Sequence, residues 1–288
     1  MKSEEKFSII IPSHNGMGVL PQCMEALKAQ TYNNFEVIVV LNLTTDDSEK
    51  YLRSLNGLDV QIVREDTIAS SYAARNLGLA SVSGDLIAFI DDDCIPLADW
   101  LENALEYLRK YDMVAGHIEL YRESDHNIWE QMDAKMHVNQ RNYSKKGMSA
   151  GGNLLIRNSV FLSQGIFPVE IVSGADMLWS KSATEKGFSM IYAPDVRVLH
   201  HSKKTFVSMW KKRYRIGIGH AQTGTMSVKS FLIKLVSYPF KKAGASVSQT
   251  LSIRLTLRER LLFIILAAAY LNGLFRGIFF KTGKKRLQ

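Results

Sequence analysis

The sequence predicts an α/β fold in which a mostly parallel sheet is flanked by helices and followed by a basic helical tail. Apolar runs alternate with stretches of helical periodicity over residues 7–110, a pattern typical of doubly wound sheets. The 288 residues are 46% hydrophobic, enough for one substantial core. Residues 226–288 hold twelve Lys and Arg residues against one acid, Glu259. We therefore predict a domain at 1–225 and a tail at 226–288.

The elements of the predicted domain follow in chain order. We expect strands at 7–11, 36–41, 59–63 and 85–90, and helices at 19–30, 70–80, 99–110 and over a segment ending near residue 55. Beyond these the alternation weakens. Beyond 113–119 we expect a partly helical excursion at 124–146, short strands at 153–156, 190–193 and 196–199, and helices at 158–163 and 174–187.

Three carboxylates, Asp91, Asp92 and Asp93, follow the fourth predicted strand. In open α/β sheets, ligands bind at the carboxyl ends of the strands. Because alternate residues of a strand face the same way, Asp91 and Asp93 can converge on one point while Asp92 turns away. Two convergent carboxylates suit Mg²⁺ or Mn²⁺ carrying phosphate oxygens. The alternative is a solvated acidic turn before Pro96, and the apolar strand upstream favours the metal–diphosphate site.

Polar groups near two other elements could reach the same edge of the sheet. The loop Pro12-Ser-His14-Asn15 ends the first strand, where backbone amides and Asn15 could hold a nucleotide. Pro and Asn are also ordinary loop formers. Arg75 lies on a predicted helix and could approach a diphosphate, although a solvated helix Arg is the commoner explanation.

Asp176 and His200 come from the second half of the predicted domain. A carboxylate at Asp176 could take the proton from an incoming hydroxyl, as direct displacement at a sugar carbon requires. The alternative is an acid that the helix dipole favours at a helix N-terminus. His200 ends a strand and could bind a metal or a diphosphate, or be a structural histidine.

The order of these motifs resembles the family-2 glycosyltransferases of the GT-A fold over roughly residues 6–221. The motifs that carry the resemblance are Pro12-Ser-His-Asn15, Asp91-Asp92-Asp93-Cys-Ile-Pro96, Gly151-Gly152-Asn153, Asp176 and His200. The resemblance implies an inverting, metal-dependent transfer of a sugar from a nucleotide-diphosphate donor to a hydroxyl of a saccharide or lipid-linked acceptor. Synthesis of a cell-surface polysaccharide or glycolipid is the implied setting.

The resemblance also implies a role for each matching residue. Asp176 corresponds to the catalytic base, and Asp91, Asp93 and His200 to the ligands of Mg²⁺ or Mn²⁺. The implied donor-nucleotide residues are Pro12, His14, Asn15, Asn42, Arg75, Asp91 and Asp92, and the implied acceptor residues are Gly152, Asn153 and Trp179.

The chain departs from the family pattern in three places. Leu41-Asn42-Leu43-Thr44 stands where the family usually has two acids followed by Gly-Ser, which leaves the identity of the donor base open. Ala175 replaces the acid that usually precedes the catalytic Asp, and Lys181 or Ser182 stands where an Arg is often found.

The tail contains the apolar segment 261–272, bordered by basic residues on both sides. Because the positive-inside bias cannot place both ends of a single crossing in the cytoplasm, we favour an interfacial or re-entrant segment on the cytoplasmic face of the cell membrane over a span. A core helix or a helix that mediates a homo-oligomer is the alternative. The start of the sequence lacks the long apolar segment of a secretory signal, and Cys23 and Cys94 fit reduced thiols of a cytoplasmic protein.

Other functions fit the sequence less well. A nucleotidyltransferase should show a Gly-rich, Arg-bearing loop after the first strand, and a phosphatase with a nucleophilic Asp should carry its acidic pair there. Basic residues that border apolar runs favour a membrane surface over a nucleic acid. The main alternative from another class is a catalytically silent, membrane-bound scaffold or saccharide-binding subunit. Leu41, Leu43 and Ala175 support this alternative, because they depart from the family pattern.

Overall fold

The computed structural model describes residues 5–237 and 257–285. The eight strands within these residues are β1 (Phe7–Ser13), β2 (Phe35–Asn42), β3 (Val60–Glu65), β4 (Leu86–Ile90), β5 (Cys94–Pro96), β6 (Met113–Tyr121), β7 (Asn153–Arg157) and β8 (Met190–His201). The helices described are α1 (Leu20–Lys28), α2 (Ser48–Ser54), α3 (Ser71–Leu79), α4 (Trp100–Leu108), α5 (Ile128–Met136), α6 (Gln140–Ser144), α7 (Asn158–Gln164), α8 (Ala175–Glu185), α9 (Phe206–Thr223), α10 (Val228–Ser237) and α11 (Leu257–Lys285).

The strands form one mixed sheet in the order β3-β2-β1-β4-β7-β6-β8-β5. β3, β2, β1 and β4 are parallel neighbours, as the sequence predicts. β7 runs antiparallel to both β4 and β6, and β5 runs antiparallel to β8. Since the parallel strands share a direction, the carboxyl ends of β1, β2 and β4 meet at one edge.

Continuous burial explains why the central strands are apolar. Every residue of β1 and β4 is buried, and so are the last six residues of β2. Strands covered on both faces are typical of parallel sheets. On one face, residues such as Ile9 and Val39 pack with α1 and α4 through Met24 and Trp100.

Two details of the sheet differ from the sequence prediction. The two short strands predicted at 190–193 and 196–199 are one strand, β8, whose pairing with β6 jumps from Ala193 to Arg197 at a bulge. Pro194 lies in this skipped segment, where a residue without an N–H group costs no ladder hydrogen bond. The three-residue strand β5 was not predicted, because its pairing depends on β8, far away along the chain.

The chain divides into two compact units. The first contains residues 1–121, 138–169 and 176–201, and therefore the whole sheet. The second contains residues 122–137, 170–175 and 202–288, and therefore α5, α9, α10 and α11. The predicted division at 225/226 separates α9 from the tail, whereas the structure groups them.

Glycines explain why α9 belongs with α11. A Cβ atom at Gly217 of α9 would lie 2.2 Å from the carbonyl oxygen of Tyr270, and one at Gly273 of α11 would lie 2.1 Å from that of Tyr214. The two backbones can approach this closely only where side chains are absent. Within the same unit, the ammonium group of Lys212 on α9 contacts the carboxylate of Asp133 on α5 at 2.5 Å.

Among the described residues, one helix, Arg258–Phe279 of α11, is long and apolar enough to cross a membrane, with a mean hydropathy of 1.9. Only 39% of its apolar window is buried. Length and composition alone are weak evidence, because the core helix of a soluble protein passes the same test.

Leu43 adopts a left-handed backbone conformation, with φ of 49°. This conformation costs a non-glycine residue roughly 1–2 kcal/mol. We expect Leu43→Gly to change the free energy of unfolding by less than about 1 kcal/mol, because relief of this strain offsets the added freedom of the unfolded chain and the lost side-chain contacts. Leu41→Gly is the matched control. It removes a fully buried side chain and should cost more than about 2 kcal/mol. Urea denaturation measures both, and equal losses would contradict the strain assigned to Leu43.

Candidate functional site

The carboxylates that follow β4 converge as the strand alternation predicts. Ligand atoms of Asp91, Asp93, Cys94 and His200 all lie within 4.8 Å of one another. His200 reaches this group because β5 pairs with β8 in a register that sets Cys94 opposite His200. The structure therefore brings together the three residues expected to bind a metal, and adds a cysteine.

His200 is oriented by its neighbour. Its Nδ1 lies 2.9 Å from the carbonyl oxygen of His201. A carbonyl oxygen only accepts hydrogen bonds, so Nδ1 is the donor in this contact, and Nε2 is the nitrogen that could bind a metal. Nε2 lies 3.4 Å from Oδ1 of Asp93.

Cys94 differs from the other three members of the group because it is completely buried. Burial, followed by the charges of Asp93 and Asp91, raises the pKa of its thiol well above the usual value. The thiolate is the form that binds metals. The raised pKa disfavours the thiolate, so the carboxylates and the imidazole are the groups that could supply ligand atoms.

This donor set fits a hard divalent cation. Two carboxylates with one imidazole suit Mn²⁺ or Mg²⁺ better than a soft metal, which would require thiolates. The two negative charges also need compensation when they lie this close together. On the observed geometry, Asp91, Asp93 and His200 could hold such an ion.

Asp92 points to a different partner. Its Oδ2 accepts a hydrogen bond of 2.6 Å from the hydroxyl of Ser13 at the end of β1. Gly16 lies against this bond, since a Cβ atom there would be 2.3 Å from Ser13 Oγ and 2.5 Å from Asp92 Oδ2. The contact joins the carboxyl ends of β1 and β4.

Arg75 connects the two halves of the site. Its side chain is only 4% exposed, and its guanidinium group contacts Asp91 Oδ1 at 2.5 Å. A Cβ atom at Gly151 would lie 3.1 Å from the guanidinium carbon of Arg75, and one at Gly152 would lie 3.0 Å from Asp91 Oδ2. Glycine at both positions therefore lets the backbone before β7 approach the ion pair.

Asp176, in the first turn of α8, also lies beside Gly151, since a Cβ atom there would be 3.3 Å from its Oδ2. Its Oδ2 accepts a hydrogen bond of 2.6 Å from the backbone N–H of Gly151. Its Oδ1 accepts hydrogen bonds from the hydroxyl of Tyr72, at 3.2 Å, and from the N–H of Met177, at 3.0 Å. The residue is 8% exposed. Tyr72 was missed by the sequence analysis, because nothing in its surroundings marks it as more than an apolar helix residue.

The predicted nucleotide residues lie where β1 and β2 end. Nδ1 of His14 lies 2.7 Å from the carbonyl oxygen of Asn42. Oδ1 of Asn15 accepts hydrogen bonds from the N–H groups of Thr45 and Asp46, at 2.8 and 3.2 Å. The Asn42 amide donates to two carbonyl oxygens, those of Glu65 and Ile68. Because both amide hydrogens are used, Asn42 could contact a base only through Oδ1.

Two of the predicted acceptor residues are buried in this structure. Asn153 is completely buried, and its amide bonds the Trp100 indole and the carbonyl oxygens of His117 and Val196. Trp179 is 3% exposed; it stacks on Phe161 and donates its indole hydrogen to Gly165. Both side chains therefore have partners within the protein, and their acceptor role stays a prediction. Gly152, the third predicted acceptor residue, lies beside Asp91.

Comparisons with known proteins agree on one family. Residues 8–164 match the sequence model described as Glycosyl transferase family 2. Glycosyltransferase AglE of Haloferax volcanii is 33% identical over 222 residues, which is 75% of this chain and 73% of the relative. Glycosyltransferase GlyA of Streptococcus pneumoniae is 23% identical over 280 residues; the match covers 88% of this chain but only 38% of that relative.

Solved structures show the same fold. The mannosyltransferase PcManGT from Pyrobaculum calidifontis, in complex with GDP-Man and Mn²⁺, matches with a TM-score of 0.69 at 17% identity, over 97% of this chain and 89% of that one. S. aureus TarS 1-349 in complex with UDP-GlcNAc matches with a TM-score of 0.57 at 16% identity, over 93% and 81% of the two chains. These similarities confirm the predicted GT-A architecture.

The contact between Ser13 and Asp92 can be tested with two neighbouring glycines. We expect Gly16→Ala to break this hydrogen bond and to destabilise the protein by about 1–3 kcal/mol, because the new methyl group occupies its position. Gly18→Ala is the matched control, since a Cβ atom there has no neighbour within 4 Å. Thermal unfolding measures both. In a Ser13→Ala background, Gly16→Ala should cost less, and an undiminished cost would contradict the assigned cause.

Proposed function

Because this chain is a glycosyltransferase that belongs to family 2, we propose that it transfers a sugar from a nucleotide-diphosphate donor to a hydroxyl acceptor with inversion at the anomeric carbon. The observation that best supports this proposal is a series of neighbouring groups that joins the cation site to the candidate base. Asp93 and His200 lie beside Asp91, which forms an ion pair with Arg75. Arg75 lies against Gly151, whose N–H donates a hydrogen bond to Asp176. This arrangement sets a cation site and a candidate base at one edge of the sheet. Both are needed for direct displacement of a diphosphate by a hydroxyl.

In this proposal, Asp91, Asp93 and His200 hold Mn²⁺ or Mg²⁺. When bound, such an ion would neutralise the charge that develops on the leaving diphosphate. The chain supplies a second positive charge at this position, the guanidinium group of Arg75. Arginine is suited to this role because its planar donors match phosphate oxygens.

Asp176 would act as the base through one oxygen. A carboxylate offers about four lone-pair positions, and three of them accept hydrogen bonds from Gly151, Tyr72 and Met177. Oδ1 accepts two of these and Oδ2 only one. Oδ2 is therefore the atom that can take the proton of an acceptor hydroxyl.

The nucleotide would lie across the ends of β1 and β2, beside Pro12, His14, Asn15 and Asn42. The two solved neighbours hold different donors, GDP-Man in one and UDP-GlcNAc in the other. The sequence Leu41-Asn42-Leu43-Thr44 does not decide between these bases. We propose a diphosphate donor and leave its base to the binding experiment below.

Two single substitutions should distinguish the role of the donor site from the role of the base. We expect Asp93→Asn to abolish the Mn²⁺-dependent part of nucleotide binding, measured by thermal shift with UDP, GDP, dTDP and CMP, each with and without Mn²⁺. Asp176→Asn should keep this binding but lose at least about 100-fold in transfer rate, because the amide cannot accept a proton. Release of UDP or GDP from UDP-GlcNAc or GDP-mannose measures the rate.

Asp195→Asn is the matched control for both, since this exposed carboxylate also accepts a hydrogen bond from a tyrosine, Tyr107. It should behave like the unmodified protein. If no nucleotide binds with Mn²⁺, a catalytically silent scaffold becomes the better interpretation. If Asp176→Asn transfers sugar at the normal rate, the base is another residue.

We also propose that the tail associates with the cytoplasmic face of a membrane, which suits a lipid-linked acceptor. The motivation lies in α11, where the exposed apolar side chains Leu261, Ile264, Ile265 and Phe275 follow the basic residues Arg258 and Arg260. Apolar residues bordered by basic ones are typical of segments that lie on anionic lipid.

Flotation tests this second proposal. The full chain should float with vesicles containing anionic phosphatidylglycerol, and less with neutral phosphatidylcholine or at high salt. Ile264→Gln should weaken flotation because it removes buried apolar area at the lipid surface. Leu162→Gln, which changes an exposed leucine of α7, is the control and should have no effect. Protein that stays in the bottom fraction with every vesicle would refute membrane association.

A further inference from the structure

Tyr72 contacts the candidate base although it belongs to none of the motifs that identify the family. Its hydroxyl donates a hydrogen bond of 3.2 Å to Oδ1 of Asp176, 104 residues further along the chain. The residue is only 6% exposed. A tyrosine hydroxyl that is buried normally has a partner, and here one partner is a carboxylate with a proposed chemical role.

The position of this hydroxyl is fixed by local structure. Ser70 caps α3 by accepting a hydrogen bond from the N–H of Tyr72, which sets the backbone at the start of the helix. The ring packs against Phe167, with a centroid distance of 6.1 Å, and the guanidinium carbon of Arg75 lies 5.7 Å from the ring centroid. The hydroxyl is thereby presented to Asp176 by a rigid support.

The hydrogen bonds to Asp176 divide unequally between its two oxygens. Tyr72 and Met177 both donate to Oδ1, whereas Gly151 donates to Oδ2. Without the tyrosine hydroxyl, the two oxygens would carry one protein hydrogen bond each, and the carboxylate would be held by two hydrogen bonds instead of three. Tyr72 therefore makes the two oxygens different.

We propose that Tyr72 is a positioning residue, whose hydroxyl holds the Asp176 carboxylate so that Oδ2 faces the acceptor hydroxyl. This inference rests on the proposed role of Asp176 as the base. It adds the reason why one oxygen, and one orientation, is used. A base that is held in place avoids the loss of rate that a misplaced reacting group causes.

The same helix turn also holds the donor side of the site. Arg75 lies three residues after Tyr72, and residues at this spacing share a helix face. Tyr72 bonds Asp176, and Arg75 bonds Asp91. The first turns of α3 therefore set the separation between the base and the first carboxylate of the cation site.

The alternative is that Tyr72 serves only to pack α3 against Phe167. Packing depends on the ring, whereas positioning depends on the hydroxyl. Tyr72→Phe removes only the hydroxyl and therefore separates the two roles. Tyr32→Phe is the matched control, because Tyr32 is also buried and donates its hydroxyl hydrogen to a protein oxygen, the carbonyl of Glu5.

The experiment compares Tyr72→Phe, Asp176→Asn, the double variant and Tyr32→Phe. We expect Tyr72→Phe to lower kcat for release of UDP from UDP-GlcNAc, or of GDP from GDP-mannose, by about 10- to 100-fold, the effect of losing one hydrogen bond to a charged group. KM for the donor should stay the same. Rates are expressed per nucleotide-binding site, so that a loss of folded protein is not counted as a loss of kcat.

The double variant distinguishes this inference from the proposed function. If Tyr72 acts through Asp176, adding Tyr72→Phe to Asp176→Asn should cause no further loss of rate. An Asp176→Asn protein with normal activity would overturn the base and this inference together. A loss with Asp176→Asn, but none with Tyr72→Phe, would overturn the inference and leave the base in place. Independent losses that multiply would also overturn it.

A structural measurement gives an answer that does not depend on the choice of donor. Crystal structures of the Tyr72→Phe protein should show the Asp176 carboxylate in more than one orientation, with a single orientation in Tyr32→Phe. A carboxylate that keeps its single orientation and its contact with Gly151 in the Tyr72→Phe protein would overturn the positioning role.

Discussion

The buried charge of Arg75 is the constraint on which the rest of the site depends. A guanidinium group that is 4% exposed must have a carboxylate partner, since an unpaired buried charge is strongly destabilising. Asp91 supplies that partner at 2.5 Å. The pair in turn requires a backbone that can pass close to it, which Gly151 and Gly152 provide. Because the N–H of Gly151 also bonds Asp176, one ion pair fixes the placement of both the donor side and the acceptor side of the site.

A layer of buried polar contacts supports this arrangement from inside the sheet. Asn153 bonds Trp100 of α4 and the carbonyl oxygens of His117 and Val196. A Cβ atom at Gly116 would lie within 2.5 Å of the Asn153 amide, so the asparagine fits only beside a glycine. All three of its contacts stabilise the start of β7, directly after Gly151 and Gly152. A residue that the motif marks as functional thus also supports the site through its contacts within the fold.

Sequence reasoning could find the parts of the site that follow from local rules. Strand alternation and the position after β4 were sufficient to predict that Asp91 and Asp93 converge and that Asp92 turns away. Cys94 and Tyr72 depend on contacts between distant segments, namely the pairing of β5 with β8 and the approach of α8 to α3, which no local pattern encodes. The packing of the Trp179 ring against Phe161 likewise depends on contacts that no local pattern encodes.

The loop after β2 departs from the family pattern in its side chains, and its backbone contains a left-handed residue. Leu43 retains the left-handed conformation expected of a glycine, and its N–H bonds the carbonyl oxygen of Glu65. The hydroxyl of Thr44 bonds Ser13, and Asn15 bonds the next two N–H groups. These hydrogen bonds join the loop to the end of β1, while Leu41 is fully buried and offers no charge. If the nucleotide lies here as proposed, backbone groups, Oδ1 of Asn42 and His14 are groups that could contact the base in place of the carboxylates usual in the family.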